Sequence, residues 1–232
     1  MAHVHAEPLN VLAHSRQLIL VKATHWTSTT ATLQRYTRTS TCHSWSPTGS
    51  EIPVSLGRNG LGWGRGLHEF SESDITHIKQ EGDGKTPAGI FRLSRIFSVA
   101  SPDHLLKFPF LGVTSSMECI DDPASRDYNR IVDRKQIADP DWKSSEFMLR
   151  SDDQYKWGIV IDHNADSTVT NAGSCLFIHI WKSSQIPTAG CTAMAEENIK
   201  TLIDWLDSNA KPILVQLPEV EYQRLRTPWA LP

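Results

Sequence analysis

The 232-residue sequence predicts a mainly β domain with one or two helices. Short runs of apolar and β-branched residues, bounded by Gly, Pro, Asn or Asp, recur along the chain, as they do in strands. One segment spaces its apolar residues as an amphipathic helix does. No linker, repeat or low-complexity stretch divides the chain, so we expect a single domain over residues 1–232.

The first quarter of the chain predicts a series of antiparallel strands. Residues 16–23 form an apolar run typical of a buried strand, and residues 30–39 alternate in the manner of a half-exposed strand. Residues 46–49, Ser-Pro-Thr-Gly, indicate a turn. A further short strand is predicted at residues 51–56, where Pro53 indicates an edge position.

The rest of the chain predicts further strands, the helix and an irregular region. The later strands are predicted at residues 90–93, 156–164, 175–181 and 213–217. The helix is predicted from the apolar spacing i, i+3, i+4, i+7 of Ile199, Leu202, Ile203 and Leu206. Residues 94–156 show no such regularity, and we expect them to form a loop or cap over a groove, because long loops in compact domains are often functional.

Two glycine-rich segments invite functional interpretations. Residues 57–66 hold five glycines in ten positions. They form either a mobile connection, a phosphate cradle, or an active-site wall in which Arg58 binds a carboxylate. A phosphate cradle needs a helix directly afterwards, and residues 68–71 do not begin one. Residues 81–91 are not a Walker motif, because Pro87 stands where the helix should start, so we assign them to a tight loop before a strand.

The strongest chemical signal is a cysteine that follows a histidine by twelve residues. His179 lies in an apolar β-branched run, and Cys191 follows Gly190. A thiol needs a base or cation to become a nucleophilic thiolate, and imidazole is the usual base. Gly190 leaves the backbone open to a substrate carbonyl. The alternative is a structural cysteine beside a satisfied core histidine, and the Thr-Ala-Gly-Cys turn favours chemistry.

Other polar residues are weaker candidates. Asp121 and Asp122 precede a proline and are typical of a turn rather than of an acid–base pair. Tyr128 and Asn129 suit peptide recognition from a loop. His163 follows a predicted strand at its exposed end and is a second candidate imidazole, although its position is more typical of the alternative, a satisfied or surface histidine.

Composition excludes several classes of protein. A net charge of −3 gives no general attraction to nucleic acid or anionic lipid. No zinc-ligand spacing occurs among the cysteines, so we expect no metal, and nothing in the sequence indicates a cofactor. If Cys191 is a nucleophile, three cysteines remain, which predicts a reduced chain or at most one disulfide. No apolar stretch of about 18 residues occurs, so we expect no membrane span.

The string from His179 to Met194 also resembles a known family. The pattern H-x(n)-[ST]-x-G-C-x-x-M is similar to the signature of YkuD-type L,D-transpeptidases, and it is met by His179, Thr188, Gly190, Cys191 and Met194. Ala189 stands where many members have His, and Ala193 where many have Arg or Asn. The strings around residues 57–60, 82–91 and 121–129 resemble the same family. The resemblance covers residues 15–218 and implies an L,D-transpeptidase-type β-sandwich.

That resemblance implies action on peptidoglycan stem peptides or muropeptides. His179 would take the proton of Cys191, and backbone N–H groups near Gly190 and Cys191 would hold the oxyanion. A helix beginning shortly after Cys191 would help to stabilise the thiolate. The substrate-binding candidates are Arg58, Asn59, Tyr128, Asn129, His163, Trp181 and Thr188.

Three functional classes stay open at this point. They are a transpeptidase, an L,D-carboxypeptidase or amidase that trims muropeptides, and a catalytically silent wall-binding module. Residues 1–16 have neither a cationic segment nor an uninterrupted apolar one. We therefore expect a cytoplasmic location, or a periplasmic one if the natural protein carries a signal peptide ahead of this sequence.

Overall fold

The computed structural model describes residues 12–69 and 76–232, and the expectation for residues 1–16 lies mostly outside this part. The strands are β1 Gln17–Ala23, β2 Thr30–Thr37, β3 Ser46–Ser55, β4 Leu61–Trp63, β5 Thr86–Ser98, β6 Phe110–Gly112, β7 Met117–Cys119, β8 Ile131–Asp133, β9 Glu146–Phe147, β10 Trp157–Ile161, β11 Phe177–Ile180, β12 Thr192–Met194 and β13 Ile213–Pro218. The helices are α1 Glu196–Trp205 and α2 Glu219–Leu225, with short 3-10 helices at Arg134–Gln136 and Ser208–Ala210.

The main sheet is barrel-like. Its strands follow the order β10, β11, β12, β3, β2, β1, β13 and β5, and β5 pairs in turn with β10. β5 is long enough to pair with β4 and β6 as well. The predicted mainly β class is therefore confirmed.

The core forms where strands are covered on both faces. Leu18, Ile19, Leu20 and Val21 of β1 are all almost fully buried, because β1 pairs with β2 and β13 while α2 packs on its outer side. The predicted helix is present as α1, which begins at Glu196 and packs on β10 and β11. Burial of these apolar side chains is the main favourable term in folding.

Most predicted strands are present, but the turn at residues 46–49 is wrong. β3 begins at Ser46 and pairs with β2 through this stretch. Gly49 has φ +68° and the β2–β3 register shifts nearby, so the glycine permits a bulge rather than a reversal of the chain. The Gln34 side-chain amide donates to the Gly49 carbonyl at 3.2 Å and holds the bulge.

Residues 94–156 contain more regular structure than their sequence indicates. β7 pairs with both β8 and β9 in a separate three-stranded sheet, here called the cap sheet. Its buried Glu118 accepts hydrogen bonds from Trp142 Nε1 at 2.9 Å and Ser145 Oγ at 2.6 Å. A disulfide between Cys119 and Cys175 ties the cap sheet to the chain just before β11. Of the two predicted alternatives for the cysteines, the structure has the single disulfide.

In the ranges that the structure describes, neither helix combines the length and the apolar character that crossing a bilayer requires.

Candidate active site

Cys191 lies at the start of β12, beside the strand that carries His179. β11 and β12 are parallel neighbours, and His179 is in register with Ala193. The Phe177 N–H donates to Cys191 Sγ at 3.3 Å, and the thiol donates to the Cys175 carbonyl at 3.7 Å. The thiol is thus held by backbone groups at the edge of β11 and is 7 % exposed.

The turn before Cys191 is fixed by two threonines. Thr188 Oγ1 accepts from the Gly190 N–H at 3.1 Å and donates to the Cys191 carbonyl at 2.6 Å. Thr86 Oγ1, at the start of β5, donates to the same carbonyl at 3.3 Å. Gly190 has φ +155°, and a Cβ there would lie 3.1 Å from the Lys85 carbonyl oxygen. The sequence Thr-Ala-Gly-Cys therefore sets the position of the thiol through its backbone.

Burial keeps both candidate catalytic groups neutral. Desolvation raises the pKa of Cys191 to about 12, and the Glu146 charge adds to this effect, whereas the Phe177 N–H opposes it. Desolvation also lowers the pKa of His179 to about 4. At neutral pH the resting site therefore holds a thiol and a neutral imidazole.

The two groups are close in the sheet but are not hydrogen-bonded to each other. His179 Nδ1 lies 2.8 Å from the Ile180 carbonyl oxygen, which fixes the proton on Nδ1. The Tyr155 ring packs edge-on against the imidazole, with 5.1 Å between ring centroids. The bonds of Cys191 Sγ go to backbone groups of Phe177 and Cys175. Proton transfer thus requires a rearrangement that brings thiol and imidazole together.

A cavity of about 200 Å³ opens beside the thiol. Cys191 and Gly190 form part of its wall. Its charged lining consists of Arg58, Lys79, Glu81, Asp121 and Glu146. Such a lining suits a small zwitterionic group better than an apolar ligand.

A larger groove of about 650 Å³ lies elsewhere, between His14, Phe108 and Pro212. It is mainly apolar and contains no thiol. Because the candidate nucleophile Cys191 lines the smaller cavity, we place the candidate active site there.

Comparison with known families agrees with this geometry. Residues 34–215 match the model of YkuD, the L,D-transpeptidase catalytic domain. The chain belongs to the YkuD family. Searches of the curated proteins and of the solved structures found no significant match. The cysteine and histidine discussed above both lie within the YkuD segment.

Of the predicted substrate-binding residues, Arg58 alone lines the cavity of this YkuD domain. Its side chain is exposed and lies over Gly84, where a Cβ would be 3.0 Å from Arg58 Cζ. The Asn59 side-chain amide donates to the Asp83 carbonyl at 2.7 Å. Trp181 is half-buried outside the cavity lining. The third interpretation of residues 57–66, as a wall of the site, therefore fits Arg58.

Thr188, Tyr128 and Asn129 hold the site together rather than facing the cavity. Thr188 forms the turn described above. The Tyr128 hydroxyl donates to Glu81 Oε2 and accepts from the Gly173 N–H at 3.1 Å. The Asn129 side chain donates to the His163 carbonyl at 2.8 Å and accepts from the Cys175 N–H at 3.0 Å. Their polar atoms are thus engaged within the protein.

The expectation that His163 lies at an exposed strand end is wrong. The residue is 1 % exposed. Its Nδ1 accepts from the Arg65 N–H at 3.1 Å, and its Nε2 lies 2.9 Å from the Ala172 carbonyl oxygen. Desolvation, with the nearby Lys79 charge, lowers its pKa to about 3. His163 is the satisfied structural histidine that the sequence left as the alternative.

The structure also bears on two predicted sources of negative-charge stabilisation, the backbone N–H groups near Cys191 and the N-terminus of α1. The Gly190 N–H donates to Thr188 Oγ1 at 3.1 Å, whereas the Cys191 N–H stays a predicted donor to the oxyanion. Between Cys191 and α1 runs β12, whose three extended residues span about 10 Å. The N-terminus of α1 is therefore too distant to stabilise a thiolate at Cys191.

The sequence analysis did not single out three of the charged cavity residues, Lys79, Glu81 and Glu146, and it assigned the fourth, Asp121, to a turn. Lys79 is 4 % exposed and forms an ion pair with Asp83 at 2.9 Å. Glu81, Asp121 and Glu146 come from two loops and a cap strand, and their spacing carries no motif. Asp121 Oδ1 is buried without a hydrogen-bond partner among the described residues. Only the fold brings these side chains to the thiol.

Within the described ranges, no three His, Cys, Asp or Glu side chains are grouped as ligands of a metal ion.

Proposed function

We propose that this YkuD domain is a cysteine-dependent L,D-transpeptidase that acts on peptidoglycan stem peptides. The observation that carries the proposal is the Cys191 thiol in the wall of a small charged cavity. Membership of the family supports the reaction class. Arg58, at the cavity lining, supplies a guanidinium for the terminal carboxylate of the stem peptide.

The proposed reaction has two halves. His179 takes the thiol proton, and Cys191 Sγ attacks the carbonyl of an L-centre that precedes a D-residue. The C–N bond breaks, the leaving nitrogen takes the proton from His179, and the D-residue departs. An amine or water then attacks the thioacyl-enzyme, giving a cross-link or a free acid, and the sulfur leaves as the restored thiol.

The reaction is tested first at the nucleophile. Cys191→Ala should abolish acylation by a carbapenem and turnover of a disaccharide-tetrapeptide, while the melting temperature stays within a few degrees. The matched control is Cys42→Ala, because Cys42 is an exposed free cysteine whereas Cys175 is disulfide-bonded. A catalytically silent binding module would not acylate in the wild type, and retained acylation in Cys191→Ala would refute the nucleophile.

The role of the base is tested in the same assay. His179→Ala should lower the acylation rate by about two to four decades, the usual range for loss of a general base. Retention of most of the activity would remove His179 from the mechanism.

The alternative outcome of the second half-reaction is L,D-carboxypeptidase action. It uses the same thioacyl-enzyme, with water in place of the amine. Mass spectrometry of products from purified tetrapeptide separates the two: dimers indicate cross-linking, and tripeptide alone indicates trimming.

We also propose that the folded protein works in an oxidising compartment. The Cys119–Cys175 disulfide supports this location, because cytoplasmic thiols are normally kept reduced. Blocking free thiols in intact cells before extraction should leave Cys119 and Cys175 unmodified. Modification of both would favour the cytoplasmic alternative.

A further inference from the structure

Glu146 is held over the thiol by a chain of covalent and backbone links. It lies in β9, directly opposite Cys119 of β7. Cys119 is disulfide-bonded to Cys175, whose carbonyl accepts from the Cys191 thiol at 3.7 Å. Glu146 and Cys191 consequently line the same cavity.

Glu146 is also connected to the imidazole side of the site. Tyr155, which is 4 % exposed, donates its hydroxyl to Glu146 Oε2 at 2.6 Å. The ring of Tyr155 packs against His179. Among the described residues, the side-chain donor to this carboxyl group is the Tyr155 hydroxyl, and it bonds Oε2 rather than Oε1. One oxygen therefore orients the carboxyl group, and the other is left for a ligand.

The groups around Glu146 favour uptake of a proton. Desolvation raises the pKa of its carboxyl, and so do the charges of Asp121 and Glu81, while the Tyr155 hydroxyl and the Arg150 charge lower it. Arg150 is itself paired with Asp152 at 2.6 Å. On the opposite wall, Lys79 is paired with Asp83.

The second half-reaction needs such a proton acceptor. Peptide amines are protonated at neutral pH. When an ammonium group becomes an amide, it must lose one proton before attack and a second as the C–N bond forms. The departing sulfur takes one of the two as the thiol is restored, so one proton remains. Water needs no such prior deprotonation by a base.

We propose that Glu146 is a further catalytic residue, which binds the ammonium group of the acceptor and removes its first proton. The neutral amine then attacks the thioester carbonyl, the C–S bond breaks, and His179 relays the second proton to the sulfur. The proton on Glu146 passes to solvent. This role rests on the proposed transpeptidase function and determines how the thioacyl-enzyme divides between cross-linking and hydrolysis.

The test is the product ratio of Glu146→Gln, with tetrapeptide as both donor and acceptor. Glutamine keeps an oxygen for the Tyr155 hydroxyl but cannot take the proton. We expect carbapenem acylation to be retained, because Cys191 and His179 are unchanged, and a dimer-to-tripeptide ratio at least about a hundredfold lower, the low end for loss of a general base. Hydroxylamine, which is neutral at the assay pH, should still trap the thioacyl-enzyme in the variant.

Two controls separate this role from a structural one. Glu197→Gln changes an exposed glutamate of α1 and should leave the ratio unchanged. Tyr155→Phe removes the bond to Glu146 but keeps the ring against His179, and it should alter the ratio less than Glu146→Gln does. The wild-type ratio should also rise with pH through one ionisation that Glu146→Gln lacks.

The result that would overturn the role is a Glu146→Gln ratio within twofold of wild type while acylation is normal. Equal loss of acylation, dimer and hydroxamate would likewise assign Glu146 to structure. Absence of acylation in the wild type would instead refute the proposed function itself, so the two failures are distinguishable.

Discussion

The resting state of Cys191 gives a sharp prediction about its reactivity towards a simple alkylating reagent. The thiol has a pKa raised to about 12, chiefly by desolvation. At pH 7.5 its thiolate fraction is about 3 × 10⁻⁵, against about 0.1 for an ordinary cysteine. A more basic thiolate is more nucleophilic, which recovers a factor of about 30. We therefore expect iodoacetamide to alkylate Cys191 about a hundredfold more slowly than a cysteine in an unstructured peptide.

The pH dependence of the alkylation rate tests the same raised pKa of Cys191. Because the pKa of Cys191 lies near 12, its rate should rise about tenfold per pH unit from 7 to 10 without a plateau. Peptide mass spectrometry measures it, and the exposed Cys42 reports on the reagent in the same tube. The measurement is made without substrate, because the raised pKa describes the site of the free protein.

A plateau below about pH 8 would refute this reasoning. It would mean that thiolate and imidazolium already form an ion pair in the free enzyme, as in cysteine enzymes with a preformed pair. The neutral imidazole of His179, with its pKa near 4, and the absence of a thiol–imidazole hydrogen bond both argue against such a pair.

Two further predictions concern stability. The pKa of His163 is about 3 in the fold and about 6.5 when unfolded, so the unfolded chain binds more protons between these pH values. The stability that His163 contributes above about pH 6.5 is therefore lost as the pH drops, by up to about 5 kcal/mol. Urea unfolding should have a lower midpoint at pH 4 than at pH 7, His163→Gln should reduce this difference, and a pH-independent midpoint would contradict the prediction. The Cys119–Cys175 disulfide spans 56 positions and should stabilise the chain by about 4 kcal/mol through loop closure. A double Cys119→Ser, Cys175→Ser variant should therefore unfold at lower urea and give a lower dimer-to-tripeptide ratio, and an unchanged ratio would show that the cap sheet does not depend on this link.

The sequence allowed the regular elements to be predicted because their signals are local. The apolar run of β1 indicates a buried strand. The spacing of Ile199, Leu202 and Ile203 indicates a helix with one buried face, which is α1. The helix α2 was not predicted, because seven residues after Pro218 give too few turns for a periodic pattern. The prediction of a turn at residues 46–49 was wrong because Gly49 lies in a β-bulge, and β-bulges favour the same residue types as turns.

The candidate site was predictable only in part. Cys191 and His179 could be singled out as candidates because a turn and a strand place them within one short stretch of chain. Glu146 and Asp121 reach the same cavity through the β7–β9 pairing and the disulfide, and cysteine connectivity cannot be read from spacing. The burial of His163 could not be predicted because its ring bonds to the Arg65 N–H and lies beside the Ala172 carbonyl oxygen. Arg65 is far away in the sequence, and Ala172 lies beyond the end of the strand before His163.

The site is thus built from two parts that are anchored independently. The barrel-like sheet fixes the nucleophile, since Thr86 and Thr188 hold the Cys191 carbonyl and Phe177 holds its sulfur. The cap sheet supplies Glu146 and is joined to the barrel by the disulfide. A change in the cap can therefore alter which acceptor resolves the thioacyl-enzyme without displacing the thiol that forms it. In the proposed mechanism, the first half-reaction therefore depends on the barrel and the choice between amine and water depends on the cap.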